Sequence, residues 1–406
     1  MTGTSNEFQR VVSGMRPTGP LHLGHYHGVL KNWIKLQYEY ECFFFVADWH
    51  ALTTHYEDPL TIEKWVWEMV IDWLACGINP ASCKLFIQSR IPEQAELHLL
   101  LSMITPLGWL ERVPTYKDQQ EKLKERDLST YGFLGYPLLQ TADVLTYKAG
   151  FVPVGEDQVS HLEFAREVAR RFNHVYGKEP GFEEKASIAV EKMGKKNAKI
   201  FLECLKKYQE TGETGALERG QALIAASGLS LGDRERLYGY LEGSGKMILP
   251  EPRPLLTEHA KMPGLDGQKM SKSYANTLAV RETPENITQK IKTMPTDPAR
   301  VRRSDAGDPE KCPVWGLHKI YSTEEIKAWV VAGCTTAGIG CLECKKKVSD
   351  AIIEEQRPIL ARAQEYEENP RLIKEIIRDG CESAREVAKE TLEQVRDVMG
   401  LPARER

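Results

Sequence analysis

The residues with the clearest potential for chemistry lie in a short turn near the start of the chain, PTGPLHLGHYHG. After a tight bend shaped by Pro17 and Gly19, His22 and His25 stand on either side of Gly24. Gly24 lets a nucleotide approach the backbone closely, and the two imidazoles can donate hydrogen bonds to phosphate oxygens as charge builds there. If a helix begins at this turn, its free N–H groups also favour phosphate. The turn therefore predicts a nucleotide site, and a structural turn with incidental histidines is the alternative.

A second stretch, GLDGQKMSKSYAN, places Lys269 and Lys272 in a glycine-rich segment. Two ammonium groups on a mobile loop can close over a polyphosphate and stabilise its charge as that charge develops. Two lysines alone could equally belong to a solvated basic loop. In a chain that also contains the HLGH turn, the pair favours polyphosphate binding.

Four cysteines form a third set, with the spacing Cys312-x21-Cys334-x6-Cys341-x2-Cys344. Four thiols with one CxxC pair suit a single tetrahedral metal ion or a cubane cluster. The spacing alone favours zinc, and four unrelated buried cysteines are the alternative. The other cysteines are interpreted as ordinary buried or half-buried thiols: Cys42, Cys76, Cys83, Cys204 and Cys381. The lysines that follow the set, residues 345–347, could offset thiolate charge, contact RNA phosphate or form a solvated charge run.

The composition of the chain limits its class. Its 406 residues suffice for two or three domains, and a hydrophobic fraction of 41% is typical of a folded protein. The N-terminus does not resemble a signal peptide and no long apolar run occurs, so we expect a cytoplasmic protein without a membrane span. Nine cysteines in such a protein are expected to stay reduced. A net charge of −4 does not exclude nucleic acid, because a local basic stripe suffices for phosphate contacts.

The elements that position these residues follow an α/β pattern. A strand is predicted at residues 10–14, a helix at 22–39 and a buried strand at 42–48, which together form a βαβ unit of a doubly wound parallel sheet. A further strand is predicted at 84–89 and a helix at 160–177.

Changes in composition predict four segments. Residues 1–182 form an α/β domain that carries the HLGH turn, and residues 183–249, rich in Lys, Glu and Ala, form a helical insertion. Residues 250–282 return to the first domain and carry the KMSKS loop. Residues 283–406 are mostly helical, rich in charge and contain the four cysteines.

At this point a resemblance to a known family becomes clear. HLGH and KMSKS together resemble the two signatures of class I aminoacyl-tRNA synthetases. The stretches SGMRPTGPLHLGH, FVADWHALTTHYEDP, YPLLQTADVL, VPVGEDQ and HLEFAREVARRFN are similar to the bacterial tryptophanyl-tRNA synthetases. The resemblance covers residues 10–177 and about 255 to the C-terminus, and residues 183–249 look like the insertion of longer members. It implies a class I Rossmann-type sheet with a helical, anticodon-binding C-terminal domain.

The resemblance also implies a two-step reaction. L-tryptophan attacks the α-phosphate of ATP to give tryptophanyl-adenylate and pyrophosphate, and the acyl group then passes to the 2′-hydroxyl of the 3′-terminal adenosine of tRNA(Trp). In-line displacement at phosphorus depends on positioning and charge neutralisation, with Mg²⁺ sharing the phosphate charge, so no enzyme nucleophile is required. A homodimer is expected. The alternatives are a tyrosine-specific relative and an inactive, synthetase-like iron–sulfur protein that binds and regulates RNA.

The resemblance assigns roles to individual residues. His22, His25, Lys269 and Lys272 are the expected catalytic residues. The expected ATP contacts are Arg16, Pro17, Thr18, Gly24, His25, Gly155, Glu156, Asp157, Met262, Lys269, Met270, Ser271, Lys272 and Ser273. Asp143 is expected to accept the indole N–H, Tyr136 and Gln158 to meet the ammonium and carboxylate of the amino acid, and His50 to contact it. Lys117 is a weaker candidate for the phosphate region.

Each of the substrate residues has an alternative interpretation. Asp143 could be an acid of a surface loop, Tyr136 could fill the core, and His50 could be a packing histidine. The chain also departs from many short family members, which have Gln in place of Arg16 and Asn in place of His25. For the cysteines, the resemblance favours a [4Fe–4S] cluster in the anticodon-binding domain, with zinc as the alternative.

Overall fold

A five-stranded parallel sheet forms the centre of the protein, seen in a computed structural model that describes residues 9–57, 59–113, 130–155, 159–256 and 262–402. The strands are β1 (Arg10–Met15), β2 (Glu41–Val46), β3 (Cys83–Ile87), β4 (Phe151–Val154) and β5 (Arg253–Leu256). Their order is β3-β2-β1-β4-β5, and every neighbouring pair is parallel. The chain therefore extends the sheet in both directions from β1, and the prediction of a doubly wound parallel sheet is confirmed.

Helices and the loops that join them make up the rest of the described chain. The helices before β4 are α1 (Leu23–His25), α2 (Lys31–Leu36), α3 (Asp48–His55), α4 (Pro59–Cys76), α5 (Pro92–Ser102), α6 (Leu107–Leu110), α7 (Tyr131–Leu134) and α8 (Tyr136–Thr146). Those between β4 and β5 are α9 (Val159–Tyr176), α10 (Phe182–Lys192), α11 (Lys195–Thr211), α12 (Thr214–Ala225) and α13 (Leu231–Leu241). After β5 come α14 (Pro284–Thr293), α15 (Pro313–Tyr321), α16 (Glu324–Thr335), α17 (Cys341–Glu368) and α18 (Pro370–Val398). No described helix has the length and apolar character that a membrane span requires.

The apolar run of β2 is buried on both faces of the sheet. The Trp33 ring of α2 stacks on Phe44, with ring centroids 4.3 Å apart, and Tyr147 stacks on Phe43 at 4.6 Å. Successive strand residues point to opposite faces, so these two contacts cover the two sides. The predicted helix at residues 22–39 is interrupted by a π-helical turn from Tyr26 to Leu30, directly after the HLGH motif. Such turns are frequent at functional sites.

Two parts of the chain pack differently on this sheet. The insertion helices α10–α13 build a separate core, which includes Phe201, Ile224 and Leu237. The C-terminal helix α18 instead lies in the main core, and a Cβ atom added at Gly380 would lie 1.9 Å from the Leu85 carbonyl oxygen of β3. The predicted start of the last segment at residue 283 therefore does not divide the core. The division into four segments stays a prediction.

Candidate active site and cysteine site

The two motif segments meet through backbone hydrogen bonds. The Leu23 N–H donates to the Leu278 carbonyl at 2.9 Å, and the Val280 N–H donates to the Leu21 carbonyl at 2.9 Å. The chain that follows the KMSKS loop thus runs antiparallel to the HLGH turn. Backbone hydrogen bonds thus hold together two segments that are far apart in sequence.

Lys272 connects the KMSKS loop to the bend before HLGH. Its Nζ donates to the Gly19 carbonyl at 2.9 Å, and Gly19 adopts a φ of 124° that favours glycine. Burial lowers the pKa of Lys272 to about 8, Asp72 opposes this shift, and the Arg16 guanidinium adds to it. The ammonium is therefore a poorly solvated cation, which an anionic ligand would stabilise.

His22 and His25 lie against each other, with ring centroids 3.8 Å apart. Burial and then Lys272 lower the pKa of His22 to about 4, and burial, followed by His22 and Lys272, lowers the pKa of His25 well below its usual value. Both rings are therefore neutral at pH 7. The His22 backbone N–H donates to His25 Nδ1 at 3.2 Å, so His25 carries its proton on Nε2. This ring offers one N–H donor, as the nucleotide prediction requires.

The space beside this turn depends on Gly24. A Cβ atom there would lie 2.9 Å from the His22 ring and 3.6 Å from Met270 Cβ. Met270 is buried, and its N–H donates to the carbonyl of Met262, which is also buried, at 2.9 Å. The expected ATP residues Gly24, Met262 and Met270 therefore occupy one corner with the histidines.

Asn276 holds the KMSKS loop in shape, a role that the sequence patterns did not reveal. Its Oδ1 accepts from the Ser271 N–H at 2.8 Å. Its Nδ2 donates to Asp266 Oδ1 at 2.7 Å and to the Lys269 carbonyl at 3.2 Å. The Lys269 side chain is exposed. The structure therefore brings Lys272, but not the charged end of Lys269, into a defined contact with the HLGH side.

The remaining predicted nucleotide residues are found around the same edge of the sheet. Arg16 is exposed, Pro17 is buried and Thr18 is half-buried, in a turn where the Thr18 N–H donates to the Arg16 carbonyl at 2.9 Å. Gly155 directly follows β4, and Ser273 lies in a short 3₁₀ turn from Lys272 to Tyr274. Four predicted residues lie outside the described residues: Lys117, Glu156, Asp157 and Gln158.

A second cluster surrounds the Asp143 carboxylate in α8. Asp143 is 1% exposed, so its interpretation as an acid of a surface loop is wrong. Its Oδ2 lies 2.6 Å from His50 Nε2, and its Oδ1 accepts from Gln88 Nε2 at 2.7 Å and Gln94 Nε2 at 2.8 Å. The half-buried ring of Tyr136 packs edge-on against His50, with centroids 4.4 Å apart. Three predicted substrate residues, Asp143, Tyr136 and His50, are thus brought together.

Sequence reasoning missed Gln88 and Gln94. Gln88 follows β3 and Gln94 lies in the first turn of α5. Neither belongs to a recognisable motif. The only available signal was the position of Gln88 at the carboxyl end of a parallel strand, where ligands bind in open α/β sheets.

The four cysteines of the third set line one small cavity. Cys312 precedes α15, Cys334 lies near the end of α16, and Cys341 and Cys344 occupy the first turn of α17. Within the described ranges, no group of three or more His, Cys, Asp or Glu side chains is arranged to hold a metal ion. The cysteines outside this set are all buried, as expected.

Polar groups surround these sulfurs from inside the fold. Arg300 donates to Cys334 Sγ at 3.6 Å, and His318 Nε2 lies 3.2 Å from Cys344 Sγ. Lys345 is buried and donates to the Lys292 carbonyl at 2.9 Å and to the Met294 carbonyl. Its interpretation as part of a solvated charge run is therefore wrong, although Lys346 and Lys347 are exposed.

Two helices next to the cysteine site, α15 and α17, converge on the HLGH region. His27 Nε2 lies 2.9 Å from the Tyr321 hydroxyl, at the end of α15, and 2.9 Å from Glu355 Oε2, in α17. Glu355 also accepts from Lys31 Nζ at 2.7 Å. The neighbouring Gln356 Nε2 donates to the Ala279 carbonyl, beyond the KMSKS loop, at 2.9 Å. The cysteine site is thus joined to both motif segments through continuous helices.

A larger cavity of about 950 Å³ lies between the edge of the sheet and the insertion. Its lining includes Tyr40, Arg166, Arg253 and Glu242, and burial raises the pKa of Glu242 to about 7. None of the predicted site residues that the structure describes lines it. Among the arginines of its wall, Arg170 donates to Glu251 and Arg253 donates to Gln221.

The chain matches the family model of class I tRNA synthetases (W and Y) over residues 4–207 and 235–355, more than half of its length. It is 67% identical over 394 residues to the tryptophan–tRNA ligase of Ralstonia nicotianae, covering 97% of this chain and 98% of that protein. It is 43% identical to the tryptophan–tRNA ligase of Thermotoga maritima, covering 97% of this chain and 99% of that protein.

The fold is similar to a solved structure as well. The tryptophanyl-tRNA synthetase of Campylobacter jejuni, crystallised with ADP and tryptophan, matches with a TM-score of 0.71 and 26% identity. The match covers 97% of this chain and all of that one. The similarity therefore extends through the insertion and the C-terminal helices.

Proposed function

The chain belongs to the class I tRNA synthetases of the tryptophan and tyrosine family, and from this premise we propose how it works as a tryptophan–tRNA ligase. It activates tryptophan with ATP and esterifies tRNA with the product. The observation that supports the proposed site best is the junction of the two motifs, where the backbone of HLGH pairs with the chain after KMSKS and Lys272 reaches Gly19.

In the proposed first step, ATP enters as its Mg²⁺ complex and its phosphates lie between the HLGH turn and the KMSKS loop. Lys272 and the Nε2–H of His25 stabilise the charge that builds on the phosphates during displacement. Lys269 is exposed on the loop and joins them when the loop closes. Arg16 adds a cation at the same edge. These groups contribute most when the transition-state charge is present, which raises the rate of the chemical step.

The amino acid binds toward Asp143 in this proposal. An indole N–H can only donate, so it needs an acceptor, and Asp143 is a buried carboxylate. Tyr136 and Gln158 are assigned to the ammonium and carboxylate of the substrate, and His50 supports Asp143. The tyrosine-specific alternative is disfavoured, because the relative at 67% identity is a tryptophan–tRNA ligase.

For the second step, we assign the 2′-hydroxyl of the 3′-terminal adenosine as the acceptor and the helices after residue 283 as the anticodon-binding part. A homodimer is supported by exposed apolar side chains at the end of α5 and the start of α6, namely Leu99, Met103 and Leu107. A cytoplasmic location remains part of the proposal.

The four cysteines are proposed to hold a [4Fe–4S] cluster. Their side chains share one cavity, and Arg300, His318 and Lys345 lie beside them where negative charge on the cluster would need compensation. A single zinc ion held by the same four sulfurs is the alternative occupant, since four thiols suit either group. When bound, the cluster would link Cys312, Cys334 and the first turn of α17.

Two experiments test this proposal. We expect ATP–pyrophosphate exchange with tryptophan and little with tyrosine, and exchange with tyrosine alone would contradict the assignment. A protein that binds tRNA without any exchange would favour the inactive regulator.

On anaerobic purification we expect a brown protein that contains iron and sulfide, whereas a colourless protein with stoichiometric zinc would exclude the cluster.

The role of Asp143 is tested by Asp143→Ala. We expect the variant to lose tryptophan selectivity while its KM for ATP changes little, because the carboxylate lies in the amino acid site. Exchange kinetics with each substrate varied in turn would measure both effects. An equal loss for ATP and tryptophan would contradict the role assigned to Asp143.

A further inference from the structure

We propose that Gln88 and Gln94 are positioning residues that set the selectivity of this site for an indole N–H, by fixing which lone pair of Asp143 remains available. The inference rests on the proposed function, because it assumes that Asp143 meets the indole. It concerns two glutamines for which the motif patterns give no role.

The geometry limits the Asp143 carboxylate to one open acceptor position. Each carboxylate oxygen offers about two acceptor sites. Gln88 Nε2 and Gln94 Nε2 occupy those of Oδ1, at 2.7 Å and 2.8 Å, and His50 occupies one of Oδ2 at 2.6 Å. One site on Oδ2 remains, which matches the single hydrogen that an indole can donate.

The burial of the two glutamines supports a functional role. Gln88 and Gln94 are fully buried, and the Oε1 atom of each has no hydrogen-bond partner among the residues that the structure describes. A buried carbonyl oxygen without a partner destabilises a fold. Two apolar side chains would avoid this cost but would leave Oδ1 unpaired. The amides therefore fit a requirement of Asp143 better than a requirement of packing.

Neutral amide donors also suit the chemistry better than cations would. An arginine beside Asp143 would form a bidentate ion pair and use both carboxylate oxygens. Amides hold the orientation of the carboxylate and leave its charge for the substrate. Removing one of them lets the carboxylate turn, so the open lone pair is no longer aimed at the indole nitrogen.

The test uses the full-length protein and a tryptophan analogue in which sulfur replaces the indole N–H, 3-benzothienyl-alanine. The kcat/KM for ATP–pyrophosphate exchange is measured with tryptophan and with the analogue. The value for tryptophan divided by the value for the analogue reports the contribution of the N–H contact. We expect Gln94→Leu and Gln88→Leu each to lower this ratio about tenfold by reducing the value for tryptophan, with the value for the analogue nearly unchanged. The KM for ATP should stay the same.

A matched control removes a buried glutamine elsewhere. Gln37 is 3% exposed, and its Nε2 donates to the Ile34 carbonyl at 3.0 Å, outside the site. Gln37→Leu should lower the melting temperature and leave the ratio unchanged. Gln94→Glu, which places a second carboxylate beside Asp143, should weaken tryptophan binding more than Gln94→Leu does.

Two outcomes would overturn the inference. A ratio that stays at the wild-type value in folded Gln88→Leu and Gln94→Leu would show that the amides do not direct the lone pair. Equal losses for tryptophan and the analogue would assign them a structural role only. A wild-type protein without tryptophan exchange would instead reject the proposed function, and with it this inference, so the two failures are distinguishable.

Discussion

At the nucleotide end of the active site, Lys272 and His25 are held in place by neutral backbone groups, and burial lowers the pKa of both. At the cysteine site, four cysteines line one small cavity, and Arg300 and His318 contact two of their sulfurs. Both regions place ionisable groups where the described residues do not neutralise them. The cation and the N–H donor of the nucleotide site suit an anionic ligand. The four cysteines of the other site suit a metal centre bound by sulfur.

The two sites suit ligands that stay bound for different times. A site for a transient polyphosphate benefits from groups that interact most strongly with charge developing in the transition state. A site for a group that stays bound can be closed to solvent. Its ligands can lie on several chain segments, which the bound group then connects. We therefore expect substitutions of Lys272 to lower the rate of ATP–pyrophosphate exchange. Substitutions of the cysteines should lower the metal content and the stability of the protein.

The largest expected effect comes from Lys272→Ala. Loss of this cation should lower kcat for tryptophan-dependent ATP–pyrophosphate exchange by about 100- to 1,000-fold, as for other preorganised charge-stabilising groups. The iron content should not change. Lys346→Ala removes an exposed lysine beside the cysteine site and should leave exchange intact. If Lys272→Ala and Lys346→Ala had a similar kcat for exchange, the nucleotide site and the cysteine site would not differ in their importance for the rate.

Cys344→Ser should have the opposite profile. We expect it to lose bound iron and to unfold at a lower temperature, because one ligand of the proposed cluster is missing. Exchange should fall by about tenfold or less, since coupling through packed helices is on the order of 1 kcal/mol. Cys204→Ser, in the separate core of the insertion, serves as the control for a buried thiol. Complete loss of exchange in a folded Cys344→Ser would mean that the cysteine site is required for catalysis.

A smaller effect is expected from Glu355→Gln, which weakens the contact between α17 and the HLGH region. The substitution keeps the size of the side chain but removes the charge that faces His27 and Lys31. We expect about a threefold drop in kcat/KM for ATP with full iron content, because a partly buried pair contributes on the order of 1 kcal/mol. Glu354→Gln changes an exposed neighbour that pairs with Arg357 and should have no effect. Iron loss in Glu355→Gln would place its role at the cysteine site instead.

Within the physiological pH range, where Lys272 stays mostly charged, the smallest effect is a pH dependence. Since the pKa of Lys272 is lowered to about 8, the free protein has the cation below this pH and loses it above. The kcat/KM for ATP should therefore decline above about pH 8, and kcat should decline at higher pH, because bound phosphate favours the cation. The pH profile of exchange in Lys272→Ala should lack this decline. A decline that persists in the variant would belong to another group.

Sequence patterns predicted the elements that carry local signals. The continuous apolar run of β2 and the turn after β1 follow from burial on both faces and from glycine and proline chemistry. The grouping of HLGH with KMSKS came from the resemblance, since periodicity does not relate segments so far apart. The contacts of Gln88 and Gln94 with Asp143, and of Asn276 with Asp266, depend on tertiary placement of ordinary polar residues.

The packing of α18 on the sheet shows the same limit. The amphipathic pattern of this helix predicts a buried face, but not which surface covers it. Gly380 permits the helix backbone to approach β3 closely. From sequence alone, a glycine within a helix predicts only a lower helix stability, not a close contact. The predicted segment boundary at residue 283 reflects composition, which does not record that the last helix returns to the first core.

The most direct test is tryptophan-dependent ATP–pyrophosphate exchange, measured on one anaerobic wild-type preparation before and after treatment with a chelator that would remove the iron of the proposed cluster. Tryptophan exchange should stay within about tenfold while iron falls to background, because Lys272, His25 and Asp143 form a site without the cysteines. Loss of exchange in proportion to iron, with restoration when iron and sulfide are returned, would contradict this prediction.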